Sequence, residues 1–293
     1  MDEPIISVII PSYNPGETIL PCLDSLLGQT VKERYEIIVA DSSTDHTPRL
    51  LEEVKGLSVI HSEDRLFPGQ ARNLGAARAG GKILAFIDAD CSASVEWLEV
   101  IIDKHAQGCA VVGGSIANGT PDSMVGSAEY FLEFGEFSPG QPAGQVRFAP
   151  TCNLSIERVV FRESGGFSSL RASEDVLFGL KLKKMGIGIF FEPKAVVYHR
   201  CRTRLRPFLR NQVSLGRGSA EARRKAPLQG AFVLRRPFLA PLLPFFRLWR
   251  IVKRLASREP KNLFRFARVF PAVCIGLAAW SWGFFSEAIE SKR

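Results

Sequence analysis

Residues 83–90 read ILAFIDAD, a run of five apolar residues that ends in two aspartates. A continuous apolar run of this length is typical of a β-strand that is buried on both faces. Asp88 and Asp90 stand two positions apart, so in an extended segment their carboxylates project to the same side. Hard oxygen ligands in this arrangement suit Mg²⁺ or Mn²⁺ bound together with substrate phosphates. A strand-end turn with two solvated aspartates is the structural alternative.

Similar apolar runs recur along the chain and alternate with helical patterns. Four more strands are predicted, at residues 5–10, 35–40, 57–61 and 110–115. Helices are predicted at residues 18–27, 47–54, 70–78 and 95–107. Strands that alternate with helices indicate an α/β fold with a mostly parallel central sheet.

Polar residues follow directly after three of these strands. They are Asn14, Asp41, Asp88 and Asp90. In an open α/β sheet the carboxyl ends of the strands form the edge where ligands bind. The dinucleotide fingerprint G-x-G-x-x-G is missing after the first strand, where residues 11–17 read PSYNPGE. A nicotinamide-dependent dehydrogenase is therefore disfavoured.

A polar triplet, Ser173-Glu174-Asp175, precedes a helical pattern at residues 176–185. Ser173 is a candidate helix N-cap, and the two carboxylates would then interact favourably with the helix dipole. The functional alternative is a carboxylate that acts as a general base in a cleft.

Asp41 and His199 also have a structural and a functional interpretation. Asp41 opens the turn DSSTDHT, where Asx-turn hydrogen bonds and helix capping by Asp45 would explain it. Alternatively, Asp41 accepts a hydrogen bond from the base or ribose of a nucleotide. His199 ends a predicted strand at residues 195–199, and a lone histidine is more often structural than a ligand.

The net charge of +8 combines two opposite parts of the chain. Residues 1–199 hold 17 basic and 26 acidic groups, and residues 200–293 hold 21 basic and 4 acidic groups. Such a basic tail suggests nucleic acid or an anionic membrane surface as the partner. The basic groups alternate with long apolar stretches and no nucleic-acid-binding motif is present, which favours the membrane and argues against nucleic acid.

Two apolar stretches of the tail are candidates for membrane contact. Residues 237–246 (PFLAPLLPFF) are short and contain three prolines, which predicts an interfacial or re-entrant segment. The 18 uncharged residues at 269–286 would reach about 27 Å as a helix, just short of the ~30 Å hydrocarbon core. They form a marginal transmembrane candidate, and a buried C-terminal helix is the alternative. An aromatic belt is expected near one end, at Trp280, Trp282, Phe284 and Phe285.

The N-terminus and the cysteines indicate a protein that faces the cytoplasm. The opening MDEPIISVII has no basic region before its apolar run, so we expect a first strand and not a signal peptide. The six cysteines form no C-x-x-C pair, which is typical of reduced residues and not of a zinc site. The expected location is the cytoplasmic face of the cell membrane.

Taken together, these segments resemble family-2 glycosyltransferases with the GT-A fold. The matching motifs, in order, are SVIIPSYN (7–14), EIIVADSSTDHT (36–47), GQARNLGAARAGG (69–81), ILAFIDAD (83–90), SED (173–175) and His199. The resemblance covers about residues 5–218. It implies a catalytic domain at residues 1–225 and a membrane-associating segment at 226–293. RNQVSLGRG (210–218) lacks the Trp of the Q-x-x-R-W motif of processive synthases, which implies transfer of a single sugar.

The resemblance also implies roles for individual residues by matching position. The nucleoside pocket would be lined by Pro11, Tyr13, Asn14 and Glu17. Further donor contacts would come from Asp41 to the base, Arg72 to the nucleotide and Asp88 to the ribose side. Asp90 would bind the metal, with His199 completing its shell, and Asp175 would be the catalytic base with Glu174 beside it. Residues 147–153 (RFAPTCN) would face the acceptor.

The implied activity is an inverting, metal-dependent hexosyl transfer in polysaccharide biosynthesis. The donor would be a nucleotide-diphosphate sugar, with UDP favoured, and the acceptor a lipid-linked or membrane-proximal saccharide. A sugar nucleotidyltransferase on a related fold stays open, although PSYNPGE lacks the basic residues of a phosphate loop. A non-catalytic nucleotide-sugar-binding membrane protein is the second alternative, and the four acids Asp41, Asp88, Asp90 and Asp175 argue against it.

Overall fold

The computed structural model describes residues 3–170 and 172–290. The chain forms two compact units, the first comprising Met1–Ala117 and Pro142–His199 and the second Asn118–Gln141 and Arg200–Arg293. The division after His199 differs from the predicted boundary at residue 225, which is the last residue of a helix in the second unit. The assignment of a catalytic domain and a membrane-associating segment remains a prediction.

Nine strands and eleven α-helices lie within the described ranges. The strands are β1 Ile6–Ser12, β2 Tyr35–Asp41, β3 Leu57–His61, β4 Ile83–Ile87, β5 Cys91–Ala93, β6 Val111–Asn118, β7 Gly144–Val146, β8 Asn153–Glu157 and β9 Ile189–His199. The helices are α1 Ile19–Leu27, α2 Thr47–Glu52, α3 Pro68–Arg78, α4 Trp97–Ala106, α5 Met124–Glu133, α6 Arg158–Glu163, α7 Glu174–Lys184, α8 Leu205–Lys225, α9 Phe232–Arg235, α10 Leu243–Arg258 and α11 Leu263–Glu290. All strands and helices predicted up to residue 115 are therefore present.

The sheet is mixed, which corrects the expectation of a mostly parallel one. Its strand order is β3-β2-β1-β4-β8-β6-β9-β5, with β7 paired to β9. The first four strands in this order pair in parallel. The pairs β4–β8, β6–β8, β5–β9 and β7–β9 are antiparallel. The prediction rested on the alternation of strands and helices up to residue 115, and this alternation does not reveal the direction of each strand.

The register of the parallel strands aligns three polar residues at their carboxyl ends. Ser12 pairs with Asp41, and Asp41 pairs with His61 on the other side. The three residues are the last of strands β1, β2 and β3 respectively. Strand β4 ends at Ile87, so the D-A-D segment begins at the same edge of the sheet. This edge carries the candidate site.

An aromatic cluster fixes the position of helix α7. Phe167 packs against Phe86 of β4 and Phe178 of α7, with ring centroids 5.1 Å and 4.5 Å apart. Phe167 follows Gly166, whose φ of +67° lies in the left-handed region that favours glycine. Asn73 of α3 clamps this turn, because its side chain donates to the Phe167 carbonyl and accepts from the Phe167 N–H, both at 2.9 Å. The start of α7 is thus tied to α3 and β4.

The second unit is helical. Helices α5, α8, α10 and α11 share one apolar core, which includes the buried side chains of Ala128, Phe131, Phe208, Ile251, Leu255 and Val273. Helices α8 and α11 approach closely, since a Cβ added at Gly283 would collide with the carbonyl oxygen of Val213. Helix α11 is therefore packed along its length within the unit.

One helix of the described ranges, Pro260–Glu290, is long and apolar enough to cross a membrane by length and composition alone. Half of its most apolar window is buried inside the protein. Trp280 and Phe284 are only 7% and 1% exposed and pack with Ala220 and Val233. The predicted aromatic belt is therefore wrong for these two side chains, because an uncharged helix can also bury them in a core. Trp282 is exposed.

Candidate active site

Arg72 forms the centre of the site. It extends from α3, is 2% exposed, and donates hydrogen bonds to Asp88 after β4 and, at 2.9 Å, to Glu174 at the start of α7. Burial lowers the pKa of Arg72, but the two carboxylates outweigh this effect and leave the pKa above its ordinary value. Its Nε donates to no atom of the described residues. One permanent cation therefore joins two acids that lie 86 positions apart in the chain.

Asp175 is the second residue of α7 and lies beside Glu174. Its Oδ1 accepts a hydrogen bond from the Val176 N–H at 2.8 Å. Burial and the neighbouring Glu174 raise the pKa of Asp175 to about 7, although Val176 and Arg72 act in the opposite direction. A carboxyl group that titrates near neutrality can both accept and release a proton under ordinary conditions.

Ser173 does not cap helix α7, which corrects the sequence prediction. Its φ of +67° is left-handed, and its side chain makes no capping hydrogen bond. Left-handed backbone at a residue other than glycine is strained and is held only by its surroundings. The strain lies directly before Glu174 and Asp175, so the carboxylates are presented by a turn and not by an ordinary N-cap.

Asp90 and His199 approach each other across the β5–β9 ladder. Their closest side-chain atoms, Oδ1 and Nε2, are 3.5 Å apart. Cys91 pairs with His199 in the ladder and completes a group whose possible ligand atoms lie within 4.8 Å of one another. Burial and a hydrogen bond with Cys152 raise the pKa of the Cys91 thiol, so it stays protonated and is a poor ligand. The remaining oxygen and nitrogen donors fit a divalent ion.

Asp41 lies in the interior of the first unit. Its carboxylate accepts from the hydroxyls of Ser12 and Ser43 at 2.6 Å each, and His61 Nδ1 lies 2.8 Å from it. The Asp41 side chain is fully buried, whereas His61 is exposed. A direct contact with a nucleobase, as the resemblance implies, would require Asp41 to exchange one of these partners. Arg72 is also buried, and a contact with a nucleotide would require the ligand to reach its unpartnered Nε or to replace one of the two carboxylates.

The loop after β1 carries the other predicted donor residues. Asn14 has a φ of +50°, its N–H donates to Ser43 Oγ and its Oδ1 accepts from the Thr44 N–H, both at 2.8 Å. The exposed ring of Tyr13 lies under the guanidinium of Arg65 at 4.1 Å. Two more predicted residues frame this loop: half-buried Pro11 and exposed Glu17. Hydrogen bonds with the turn after β2 fix the conformation of this loop, and part of it faces solvent.

The sequence profile described as Glycosyl transferase family 2 matches residues 7–165, more than half of the chain. The chain belongs to glycosyl transferase family 2. The matched range contains Asp41, Arg72, Asp88 and Asp90.

Named relatives of this glycosyltransferase are archaeal and bacterial. Glycosyltransferase AglE of Haloferax volcanii is 29% identical over 229 residues, which cover 74% of each chain. The glucosyl-dolichyl phosphate glucuronosyltransferase of the same organism is 26% identical over 178 residues, or 56% of each chain. The enzyme thus spans about half the length of the second relative.

A solved structure shares the fold of the enzyme. The mannosyltransferase PcManGT from Pyrobaculum calidifontis, in complex with GDP-Man and Mn²⁺, superposes with a TM-score of 0.65 at 19% identity. The match covers 100% of this chain and 89% of that one. The predicted GT-A fold and the predicted enzyme class are confirmed, and the glycosyltransferase acts on nucleotide sugars. The nucleotidyltransferase and non-catalytic alternatives are set aside.

Sequence reasoning missed His61 and Arg65 of the glycosyltransferase site, and it included Thr151 only as part of a longer segment. His61 could have been found, because it ends the third strand in register with Asp41. Thr151 lies within the predicted acceptor segment, and its hydroxyl is 3.4 Å from Glu174 Oε1. No sequence pattern indicated a role for Arg65, because an arginine in a loop does not reveal which aromatic ring its guanidinium will contact.

Proposed function

We propose that this glycosyltransferase moves one sugar from a nucleotide-diphosphate sugar to a hydroxyl of a lipid-linked or membrane-proximal saccharide, with inversion at the transferred carbon. The observation that carries the proposal is the bridge of Arg72 between Asp88 and Glu174. This bridge supports the proposal because one buried cation holds Asp88, at the end of the strand proposed to bind the donor, close to Glu174, which lies beside the proposed catalytic base.

Asp175 is the proposed general base. A pKa of about 7 suits it to take the proton of the acceptor hydroxyl at neutral pH. The acceptor oxygen then bonds to the anomeric carbon while the bond from that carbon to the diphosphate oxygen breaks. The bonding electrons leave with the nucleoside diphosphate. Glu174 is the proposed positioning residue, since it raises the pKa of its neighbour and is itself held by Arg72.

Asp90 and His199 are the proposed metal ligands. The half-buried carboxylate and the imidazole are 3.5 Å apart, which supports a shared ion with room for diphosphate oxygens. Mg²⁺ or Mn²⁺ bound there would neutralise the charge that develops on the leaving group. Mn²⁺ accompanies the sugar nucleotide in the mannosyltransferase of the same fold.

The donor is proposed to be a UDP-sugar. The exposed Tyr13 ring offers a face for a nucleobase, and Arg65 at 4.1 Å adds a cation near the phosphates of such a ligand. Donor contacts from Pro11, Asn14 and Glu17 are proposed from their place in the same loop.

The acceptor is proposed to be carried on a lipid at the cytoplasmic face of the membrane. The name of the second Haloferax relative specifies a dolichyl-phosphate-linked sugar, which supports an acceptor of this class. The basic tail, with 21 basic against 4 acidic residues, would hold the enzyme at an anionic surface.

The test is a transfer assay with the full-length protein, a panel of UDP- and GDP-sugars, and a polyprenyl-linked monosaccharide. We expect one added sugar, dependent on Mn²⁺ or Mg²⁺, with the anomeric configuration opposite to that of the donor by NMR. At a metal concentration that just saturates the wild type, the Asp90→Asn variant should lose most of this activity, and Asp103→Asn, an exposed carboxylate on α4, is the matched control. A product that retains the donor configuration would contradict the single displacement.

A further inference from the structure

Helix α10 presents two apolar faces, and only one of them packs inside the second unit. Ile251 and Leu255 lie in the core of that unit. The opposite face carries what we name the α10 stripe: Phe245, Phe246, Trp249 and Val252, together with Leu242 directly before the helix, all of them exposed. Phe245 and Trp249 are 70% and 55% exposed. Their spacing of three and four residues places the stripe along one side of the helix.

Large apolar side chains that are exposed singly are normal, but a stripe over three helical turns marks an interaction surface. The rings of Phe246 and Trp249 are 5.9 Å apart, so the stripe contains a continuous aromatic surface. Lys253 holds its ammonium group 5.0 Å from the Trp249 ring. Aromatic rings with a flexible cation beside them are typical of helices that lie in the membrane interface.

The side chains around the α10 stripe are mostly positively charged, which indicates the kind of surface to which it would bind. Residues 226–286 contain ten lysines and arginines and a single acid, Glu259, which is buried. The exposed cations include Lys253, Lys261, Arg265 and Arg268. This arrangement is complementary to anionic lipid headgroups, and a protein partner would need an unusually acidic face to match it.

Helix α11 already packs against other helices of the second unit. Its side chains Val273, Leu277 and Trp280 are buried against neighbouring helices. Gly283 allows the close approach to α8, which would be lost if α11 left the unit to enter lipid. The membrane-facing element is therefore better sought on α10.

We infer that helix α10 lies flat on an anionic bilayer with the α10 stripe inserted at the boundary between headgroups and acyl chains, while α11 stays within its unit and does not cross. The inference rests on the membrane association in the proposed function and deepens it, because it names the surface and its orientation; it is independent of the transferred sugar.

Vesicle binding tests the surface. The double variant Phe245→Ser/Trp249→Ser should bind vesicles of phosphatidylcholine and phosphatidylglycerol (about 3:1) roughly 100-fold more weakly, since each aromatic side chain contributes about tenfold. Met124→Ser, equally exposed on α5, is the matched control and should bind like the wild type. Unchanged binding by the folded double variant, or equal binding of the wild type to pure phosphatidylcholine, would overturn the inference.

Thiol labelling tests the orientation. In a Cys274→Ser background, which removes an exposed cysteine, Lys261→Cys lies two residues before α11 and Glu290→Cys lies at its last residue. In inside-out membrane vesicles an impermeant maleimide should modify both ends equally. Protection of position 290 alone would show that the helix crosses, and the inference would be wrong.

The outcome can be separated from that of the proposed function. The α10 stripe contains none of the proposed catalytic or donor-binding residues, so transfer to a soluble saccharide should be unchanged in the double variant. Loss of vesicle binding with intact soluble transfer supports both proposals, and loss of vesicle binding is readable even if no transfer is found.

Discussion

Replacing Asp175 by asparagine should abolish sugar transfer and stabilise the fold. The pKa of Asp175 is raised from 3.8 to about 7, and each pKa unit corresponds to about 1.4 kcal/mol. A raised pKa favours the protonated form in the folded state, so its contribution to stability is present below the ordinary pKa and is lost as the pH rises through about 7. The full shift sets an upper bound of ~4 kcal/mol. Because Asp175 is only half-buried, solvent screens part of this effect, and we expect ~1–2 kcal/mol at pH 8.

Denaturant unfolding and thermal melting of wild type, Asp175→Asn and the control Asp103→Asn measure this effect. At pH 8 the Asp175→Asn variant should melt ~2–8 °C higher than the wild type, and the gain should shrink near pH 5, where the wild-type carboxyl is protonated. Its transfer rate should fall by ~10²–10⁴, the usual contribution of a general base. In the wild type, kcat/KM should rise with pH through about 7. A gain in stability that is equal at both pH values, or retained transfer, would refute the reasoning.

Four further substitutions test the site and its support. Arg72→Lys should lower the unfolding free energy by ~2–4 kcal/mol, because one ammonium group cannot bridge two carboxylates; an unchanged melting temperature would contradict this. Gly166→Ala should destabilise by about 2 kcal/mol, since its φ is +67° and the new Cβ would lie 2.6 Å from Asn73 Oδ1. Gly16→Ala, with a φ of +55° but open space around it, should lose ~1 kcal/mol at most, and equal losses at both glycines would rule out the clash. Asp90→Asn should raise the Mn²⁺ concentration for half-maximal transfer at least ~10-fold, and an unchanged titration would remove Asp90 from the metal site.

Local patterns predicted the strands and the acids at their ends. The run ILAFI forms β4, and Asp88 and Asp90 follow it at the sheet edge. This succeeded because burial on both faces requires a continuous apolar run, and that requirement is visible in a few consecutive residues. The approach of Asp90 to His199 was expected from the family resemblance alone, and it arises from the β5–β9 ladder.

Long-range contacts could not be predicted in this way. The partner of Arg72 at Glu174 is 102 positions away, and a helical pattern does not reveal which arginine becomes buried. The left-handed backbone of Ser173 is imposed by its surroundings, since the residue type alone favours a cap. The burial of Trp280 was missed because an uncharged helix has the same composition in a protein core as in a membrane.

The place of α5 in the chain limits how far the enzyme can be shortened from its C-terminal side. Helix α5 lies between the two segments of the first unit, yet Ala128 and Phe131 pack with Ile251, Leu255 and Val273. Cutting the chain after residue 225 would remove those partners and leave an apolar helix uncovered. A shortened gene would therefore yield a product prone to aggregation. Surface substitutions on α10 leave these contacts in place, because they change only side chains that point away from this core.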